Sequence, residues 1–274
     1  MSSKCPICPR GCVLENGQKG FCRARENKEG RIICSNYGKL TSVALDPIEK
    51  KPLSRFMPGS KILSAGSYGC NLRCPFCQNY RISMSGSEIS TMDTTPQELA
   101  CKALELADKG NIGVAYTYNE PLISYEFIYD CSMEVRKNGL KNILVTNGYI
   151  CEEPLKRLLP YIDAMNIDLK GFSEVFYNKL DGDLESVKRS ITMASEQCHV
   201  EVTTLIIPGE NDSKQEMEQL SSWLSSLNEN IPIHISRFFP QYKWAHLPPT
   251  PAGTIYSLAE IAAERLRYVY TGNI

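Results

Sequence analysis

A chain of 274 residues with 42% hydrophobic and 22% charged residues is typical of a globular protein with one large domain and a small appendage. Its formal net charge of -1 provides no general attraction for nucleic acid or anionic lipid. No stretch has the roughly 20 apolar residues of a membrane span, and no secretion signal is apparent. We therefore expect a cytoplasmic protein without nucleic-acid or membrane partners.

The first cysteine group lies in a turn-rich segment near the amino terminus and has the spacing C-x2-C-x3-C-x9-C. Such a segment folds only around something that holds it together, and twelve cysteines without an export signal favour metal ligation over disulfides. Structural zinc, an auxiliary iron–sulfur cluster and no metal at all remain open as alternatives. The predicted ligands are Cys5, Cys8, Cys12 and Cys22, and Cys34 could replace one of them.

We divide the chain into a cysteine-rich metal-binding knuckle (1–30), a hairpin and linker (31–60) and a main domain (61–274). In the middle part, Arg31–Ser35 and Leu40–Leu45 flank the turn-like segment Asn36–Lys39. This pattern predicts a β-hairpin. The proline-punctuated stretches that follow, up to residue 60, predict an extended bridge onto the main domain.

Strand, loop and helix alternate from residue 61 onward. The predicted strands are Lys61–Ala65, Ile112–Tyr116, Asn142–Thr146, Ala164–Leu169, Val200–Ile207 and Pro232–Ser236. Predicted helices follow at 95–109, 123–137, 152–159, 174–179, 184–196, 213–228 and 255–266. Because successive βαβ crossovers share one hand, these units predict an α/β fold, a partial (β/α)6 barrel. Ligands of such a fold bind at the carboxyl ends of the strands.

A second cysteine group directly follows the first strand of the main domain. Cys70, Cys74 and Cys77 have the spacing C-x3-C-x2-C, with Phe76 just before the third thiol and Asn79 after it. An iron–sulfur cluster normally takes four thiolates, so three on one loop leave one iron open to an outside ligand. A structural zinc knuckle or three inert thiols are the alternatives, although zinc would find no fourth ligand nearby.

This loop resembles the signature of the radical S-adenosylmethionine (SAM) enzymes, in which the open iron binds the amino and carboxylate groups of SAM. The main domain is similar to the activating enzymes of glycyl-radical proteins, such as the pyruvate formate-lyase activator. The further matching motifs are Asn119-Glu120-Pro121, Thr146-Asn147-Gly148, Asp168-Leu169-Lys170 and Ile206-Ile207-Pro208-Gly209 with Asn211-Asp212. Two positions depart from that pattern, since the activators have an acidic residue in place of Val145 and an arginine near Thr203.

A resemblance over nearly the whole chain is to the radical SAM enzyme of the AmmeMemoRadiSam system. It includes the amino-terminal cysteine segment and the stretches 46–53, 237–243 and 268–273. The resemblance implies an oxidoreductase in which a [4Fe–4S] cluster cleaves SAM to a 5′-deoxyadenosyl radical. That radical would abstract hydrogen from a substrate, and the substrate could be a protein or peptide. It also implies a one-electron reductant such as flavodoxin or ferredoxin as partner.

The same resemblance implies roles for individual side chains. Cys70, Cys74 and Cys77 would hold the cluster, Phe76 would pack against the adenine, and Asn79 would orient the loop. Either Asn119 or Glu120 would accept from the ammonium group of SAM, because an amide or carboxylate oxygen is the right acceptor for it. The side chains expected to reach the ribose or the substrate are Asn147 and Asp168.

Two other functions remain compatible with the sequence. One is a zinc-stabilised interaction module without redox activity, in which the barrel is only a scaffold. The other keeps SAM and the cluster but transfers the aminocarboxypropyl group by cleaving a different carbon–sulfur bond. Outside the motifs, His234 is predicted to be a satisfied histidine of the barrel interior, and four scattered thiols are predicted to be buried: Cys101, Cys131, Cys151 and Cys198.

Overall fold

The computed structural model describes residues 1–274 and contains fourteen strands. In chain order they are β1 Ser3–Lys4, β2 Val13–Leu14, β3 Arg25–Lys28, β4 Arg31–Cys34, β5 Lys39–Leu40, β6 Ser42–Pro47, β7 Lys61–Gly66, β8 Met92–Asp93, β9 Asn111–Tyr116, β10 Lys141–Thr146, β11 Ala164–Asp168, β12 His199–Ile206, β13 Ile233–Arg237 and β14 Val269–Gly272. Eight of them form one sheet in the order β14-β13-β12-β11-β10-β9-β7-β6. The edge strands β6 and β14 do not pair, so the sheet is an open, partial barrel.

Eight α-helices connect the strands. They are α1 Tyr80–Ser83, α2 Pro96–Glu105, α3 Tyr125–Lys137, α4 Glu152–Leu158, α5 Glu174–Lys179, α6 Leu184–Ser195, α7 Lys214–Leu227 and α8 Ala252–Ala263. The start of α2 shows how the sequence sets these elements, because Thr95 and Glu98 form a capping box and Pro96 occupies the first turn. No helix of the chain has the length and apolar character needed to cross a membrane.

The predicted α/β fold is confirmed. The six predicted strands are β7 and β9–β13, which lie side by side in chain order and run parallel. Apolar faces of the helices pack against the sheet in one large core, in which Leu99 and Ala103 of α2 join Val114 of β9. Of the two edge strands, β14 was not predicted and is parallel to β13, whereas β6 overlaps the predicted strand Leu40–Leu45 but is antiparallel to β7.

The hairpin predicted between residues 31 and 45 is wrong. Strand β4 pairs with the preceding β3, β5 pairs with β8, and β6 joins the main sheet. The intervening turn is anchored elsewhere, since the Asn36 amide donates to the Ser67 hydroxyl at 3.1 Å and to the Tyr68 carbonyl at 3.0 Å. These contacts, which are distant in sequence, replace the local pairing that the turn residues favour.

Residues 48–56, which we call the plug, fill the amino-terminal part of the barrel interior. Ile48 and Leu53 are fully buried there against side chains of the first four parallel strands. The Pro52 carbonyl accepts a hydrogen bond from Asn166 at 2.8 Å, and Glu201 accepts from two plug amides. The predicted extended bridge is thus the floor of the barrel, and the open space lies towards the carboxyl ends of the strands.

Candidate active site

A cavity of about 670 Å³ lies at the carboxyl ends of the strands. Its volume is within the range of roughly 300–1,000 Å³ that small-molecule sites occupy. The parallel topology brings side chains from separate strand ends to this one place. The sequence-predicted residues that line it are Cys70, Cys74, Phe76, Cys77, Asn79, Asn119, Glu120, Asn147 and Asp168.

The cysteine loop is fixed by its backbone. The Gly69 amide donates to the Ile82 carbonyl at 2.9 Å, and the Arg73 amide donates to the Leu180 carbonyl at 2.9 Å. The Arg73 guanidinium also donates to the Cys70 carbonyl at 2.8 Å. Gly69 has a φ of 87°, a conformation that favours glycine, and a Cβ there would meet the Cys22 carbonyl oxygen at 2.3 Å. Contacts within the protein therefore fix the conformation of the loop.

The three loop thiols face the cavity from one side. Burial raises the pKa of each of them, that of Cys74 to about 12, so thiolates would form here only beside a positive partner such as iron. Across residues 1–274 no set of three His, Cys, Asp or Glu side chains is already gathered at metal-binding geometry. Three soft sulfur donors on one short loop fit an iron–sulfur cluster, which takes thiolate ligands.

Glu120 lies in a cradle of hydrogen-bond donors beside the cysteine loop. Its carboxylate accepts from the Thr146 hydroxyl at 2.7 Å, the Asn147 amide at 2.8 Å and the Leu122 amide at 2.9 Å. Burial raises its pKa to about 7, although these three donors oppose the rise. A carboxylate has about four acceptor positions, so Glu120 retains capacity for one more donor.

The two amides predicted near SAM connect loops to one another. Asn119 donates to the Tyr68 and Gly69 carbonyls, both at 3.1 Å, while its oxygen accepts from the Ser67 amide at 2.9 Å. Asn79 donates to the Tyr118 carbonyl at 2.8 Å and so ties the end of the cysteine loop to the loop after β9. The amide hydrogens of Asn119 are thus engaged within the protein.

Asn147 contacts the cysteine loop directly. Its amide nitrogen donates to Asn71 at 2.9 Å and lies 3.7 Å from the Cys70 sulfur. The Phe76 ring stacks on Phe176 with centroids 6.3 Å apart and lies 5.4 Å from the Trp244 ring. These partners fix the orientation of the Phe76 ring on the cavity wall.

Asp168 forms an ion pair with Lys170, a residue of the same motif for which the sequence predicted no role. The Lys170 ammonium donates to the Asp168 carboxylate at 2.7 Å. Burial disfavours the charged form of Lys170, but Asp168 and the neighbouring Cys74 raise its pKa. A cation therefore lies close to the predicted cluster ligands.

Sequence analysis also missed much of the wall opposite the cysteine loop. Asn166 precedes Asp168 by two residues and shares its face of β11, so the alternation along a strand could have identified it. Further along the sheet, His234 of β13 contacts the Glu201 carboxylate of β12 at 2.6 Å, and its ring stacks on the Tyr270 ring of β14 with centroids 5.2 Å apart. The other missed lining residues include Glu49, Lys50, Thr203, Ser236 and Asn273.

The amino-terminal cysteines line a second and much smaller cavity of about 10 Å³. Its lining includes Cys5, Cys8, Cys12 and Cys22, whereas Cys34 lies outside it and donates to Asn36 at 3.1 Å. Of the four thiols predicted to be buried, Cys131 is buried and Cys151 and Cys198 are partly exposed. The prediction is wrong for Cys101, which is exposed on α2.

Comparison with known proteins identifies relatives of this chain. A family model of the radical SAM superfamily matches residues 65–221, more than half of the chain. An uncharacterized protein of Methanocaldococcus jannaschii is 42% identical over 276 residues, covering 99% of this chain and 81% of that protein. The pyruvate formate-lyase-activating enzyme of Staphylococcus epidermidis is 25% identical over 230 residues, covering 75% of this chain and 88% of the enzyme.

The fold is also found among solved structures. Streptococcus suis SuiB bound to S-adenosylmethionine superposes with a TM-score of 0.60 at 12% identity, covering 77% of this chain and 51% of SuiB. At that identity the likeness shows the shared fold alone. The family match, with the three-cysteine loop inside it, shows the relationship by sequence. The chain therefore belongs to the radical SAM superfamily, a family of enzymes that use a [4Fe–4S] cluster and S-adenosylmethionine.

Proposed function

We propose that this protein is an oxidoreductase of the activating-enzyme type, in which Cys70, Cys74 and Cys77 hold the cluster. When bound, the reduced [4Fe–4S] cluster held by these thiols would supply one electron for cleavage of SAM into methionine and a 5′-deoxyadenosyl radical, and that radical would abstract hydrogen from the substrate. The observation that carries the proposal is that all three thiols and Glu120 line one cavity of about 670 Å³ at the strand ends. The loop, strand ends and plug would together limit water in this space.

The side chains around the cavity have distinct tasks in this proposal. Glu120 accepts from the amino group of SAM, because its fourth acceptor position is open while its other three hold it in place. Asn119 and Asn79 keep the loops after β7 and β9 in register through their backbone contacts. Asn147 and the Asp168–Lys170 pair would lie on the ribose or substrate side, and Phe76 would pack against the adenine.

The partners follow from the same chemistry. The reaction needs a one-electron donor, for which a flavodoxin or ferredoxin in the cytoplasm is suitable. A protein or peptide is the proposed substrate, since the S. epidermidis relative is a pyruvate formate-lyase-activating enzyme. We also propose that the chain belongs to the AmmeMemoRadiSam system, and its similarity to the M. jannaschii protein over 99% of its length supports a family defined by the whole chain rather than by the barrel alone.

The test is anaerobic reconstitution with iron and sulfide, followed by reduction in the presence of SAM. We expect about four irons per chain for the loop site and formation of 5′-deoxyadenosine. Cys74→Ala should remove most of this iron and all of the product. The matched control is Cys101→Ala, because Cys101 is exposed on α2 and outside the cavity, and it should retain both.

The products distinguish the proposal from its alternatives. Methylthioadenosine in place of 5′-deoxyadenosine would show aminocarboxypropyl transfer and refute the proposed bond cleavage. A colourless protein that binds zinc at the loop and leaves SAM intact would show a zinc-stabilised module. Normal 5′-deoxyadenosine formation by the Cys74→Ala variant would place the cluster elsewhere.

A further inference from the structure

The small amino-terminal cavity is built from four thiols that the proposed reaction does not use. Its volume of about 10 Å³ corresponds to the space of roughly one water molecule. Cys5, Cys8 and Cys22 are buried, and Cys12 is partly exposed. No carboxylate or histidine lines the cavity. The thiols are therefore the metal-ligating side chains of this lining, and a cavity of this size matches a single soft metal ion more closely than a four-iron cluster.

The backbone around the cavity turns back on itself to bring the thiols together. Strands β1 and β2 pair on either side of the first three cysteines, and the Cys5 amide donates to the Cys12 carbonyl at 2.9 Å. The Gly11 amide donates to the Cys8 carbonyl at 3.0 Å, and Gly11 has a φ of 55°. The sequence before Cys22 makes a second tight turn, in which the Arg23 amide donates to the Gly20 carbonyl at 2.8 Å. This is a two-turn arrangement with one or more thiols on each turn.

The thiols lie beside both apolar and cationic side chains. Cys22 packs with Ala24, Tyr68 and Ile123, and Arg10 and Arg25 line the cavity with the thiols. Cations close to the thiols favour an anionic tetrathiolate centre there. A segment of about twenty residues buries little apolar surface of its own, so a bound metal ion would add to the stability that its packing on the main domain provides.

The same segment packs directly against the cysteine loop of the active site. The Phe21 ring lies between two guanidinium groups, Arg10 at 3.6 Å and Arg73 at 3.7 Å from its centroid. Arg73 also donates to the Phe21 carbonyl, and it holds the Cys70 carbonyl at 2.8 Å. One side chain therefore connects the residue before Cys22 with the first proposed cluster ligand.

Two further contacts join the thiol cavity to the loop. The Cys22 carbonyl lies so close to Gly69 that a Cβ there would approach it to 2.3 Å. Asn71 lines the thiol cavity and accepts from Asn147 at 2.9 Å on the active-site side. The cavity thus lies immediately behind the loop that carries Cys70.

We propose that Cys5, Cys8, Cys12 and Cys22 bind one zinc ion as a closed tetrathiolate, and that this site supports the cluster loop from behind. Four thiolates complete the tetrahedral coordination of zinc, so the site is structural and leaves no position for SAM. The zinc site itself is independent of the proposed reaction. The supporting role of the zinc site rests on the proposed function, because the loop that it contacts through Arg73, Asn71 and Gly69 carries the proposed cluster ligands.

The test is metal analysis of the full-length protein after anaerobic reconstitution. We expect about one zinc and about four irons per chain. Cobalt supplied in place of zinc should give the visible absorption of a tetrahedral thiolate site in a protein whose cluster loop carries Cys70→Ala, Cys74→Ala and Cys77→Ala. That triple variant should keep its zinc and lose its iron, so a failure of the proposed cluster ligands would not be confused with a failure of the zinc site.

The supporting role has its own readout. Cys8→Ser with Cys12→Ser should remove the zinc and increase the rate at which a chelator extracts cluster iron by about tenfold, whereas Cys101→Ser should change neither. Protein that was supplied with zinc but contains about eight irons per chain would overturn the zinc site, because the thiols would then hold a second cluster. Protein with about four irons and no zinc would also overturn it. An unchanged rate of iron extraction after loss of zinc would overturn the support of the loop. If the double variant does not fold, extraction of zinc from the native protein provides the same comparison.

Discussion

The buried carboxylate of Glu201 allows a quantitative prediction about how the plug is held. Glu201 is fully buried and accepts from the Ser54 amide at 2.9 Å, the Arg55 amide at 2.7 Å, His199 at 2.9 Å and His234 at 2.6 Å. Burial alone would raise its pKa, but these four donors lower it from 4.5 to about 2. A difference of that size corresponds to about 3 kcal/mol of stabilisation when the carboxylate is ionised.

The sign of the pH dependence follows from the lowered pKa. The stabilisation is complete well above the unfolded-state pKa of Glu201 and declines as the pH falls from about 4.5 towards about 2. Glu201→Gln keeps the shape but loses the charge, so it should lower the free energy of unfolding by about 3 kcal/mol between about pH 6 and pH 8. Near pH 3.5 the difference from the wild type should shrink to about 2 kcal/mol.

Urea unfolding of both proteins, followed by circular dichroism at several pH values, measures this difference. Glu185→Gln is the matched control, because Glu185 is an exposed partner of Lys188 and its loss should cost less than about 1 kcal/mol. A loss below about 1 kcal/mol for Glu201→Gln at neutral pH would refute the assignment. A difference that grows as the pH is lowered would contradict its sign.

Three further predictions concern single contacts around the cavity. Gly69→Ala should lower the melting temperature and the iron content together, because its Cβ would meet the Cys22 carbonyl and its φ is strained for alanine, at a cost of about 1–3 kcal/mol. Asn79→Ala should keep the iron but weaken SAM binding about tenfold in calorimetry, since the link to Tyr118 is lost. Tyr116→Phe should cost about 1 kcal/mol in urea unfolding without affecting SAM affinity, because its hydroxyl bonds to Asn142 far from the cysteine loop. Unchanged iron content in Gly69→Ala would contradict the first prediction, and unchanged SAM affinity in Asn79→Ala would contradict the second. A change in SAM affinity in Tyr116→Phe would contradict the third.

The strands of the barrel could be predicted from sequence because their pattern is local. Continuous apolar runs bounded by polar turns identify β7 and β9–β13, and the parallel arrangement follows from the intervening helices. The residues at their carboxyl ends then converge on one cavity through topology alone. For this reason Glu120, Asn147 and Asp168, which were predicted from the strand ends, line the same cavity as the three cysteines.

Other features depend on contacts between distant parts of the chain. The predicted hairpin failed because Asn36 bonds to the loop at Ser67 and Tyr68 rather than closing a local turn. The sequence of the plug is typical of a proline-punctuated linker. Its burial depends on two distant residues, since Glu201 accepts hydrogen bonds from the plug amides and Asn166 donates one to a plug carbonyl. No local signal records these contacts of the plug, since Glu201 and Asn166 each lie more than 100 residues from their plug partners in sequence.

The walls of the cavity differ in whether they lie within the part of the chain that matches the superfamily model. The cysteine loop, Glu120 and Asp168 lie within residues 65–221, which match the superfamily model. The opposite side is built from Lys50 of the plug and from His234 and Tyr270 of β13 and β14, all outside that range. Groups that handle SAM are required by every member of a superfamily, whereas groups that meet the substrate differ with the reaction. We therefore expect the plug and the last two strands to select the substrate of this protein.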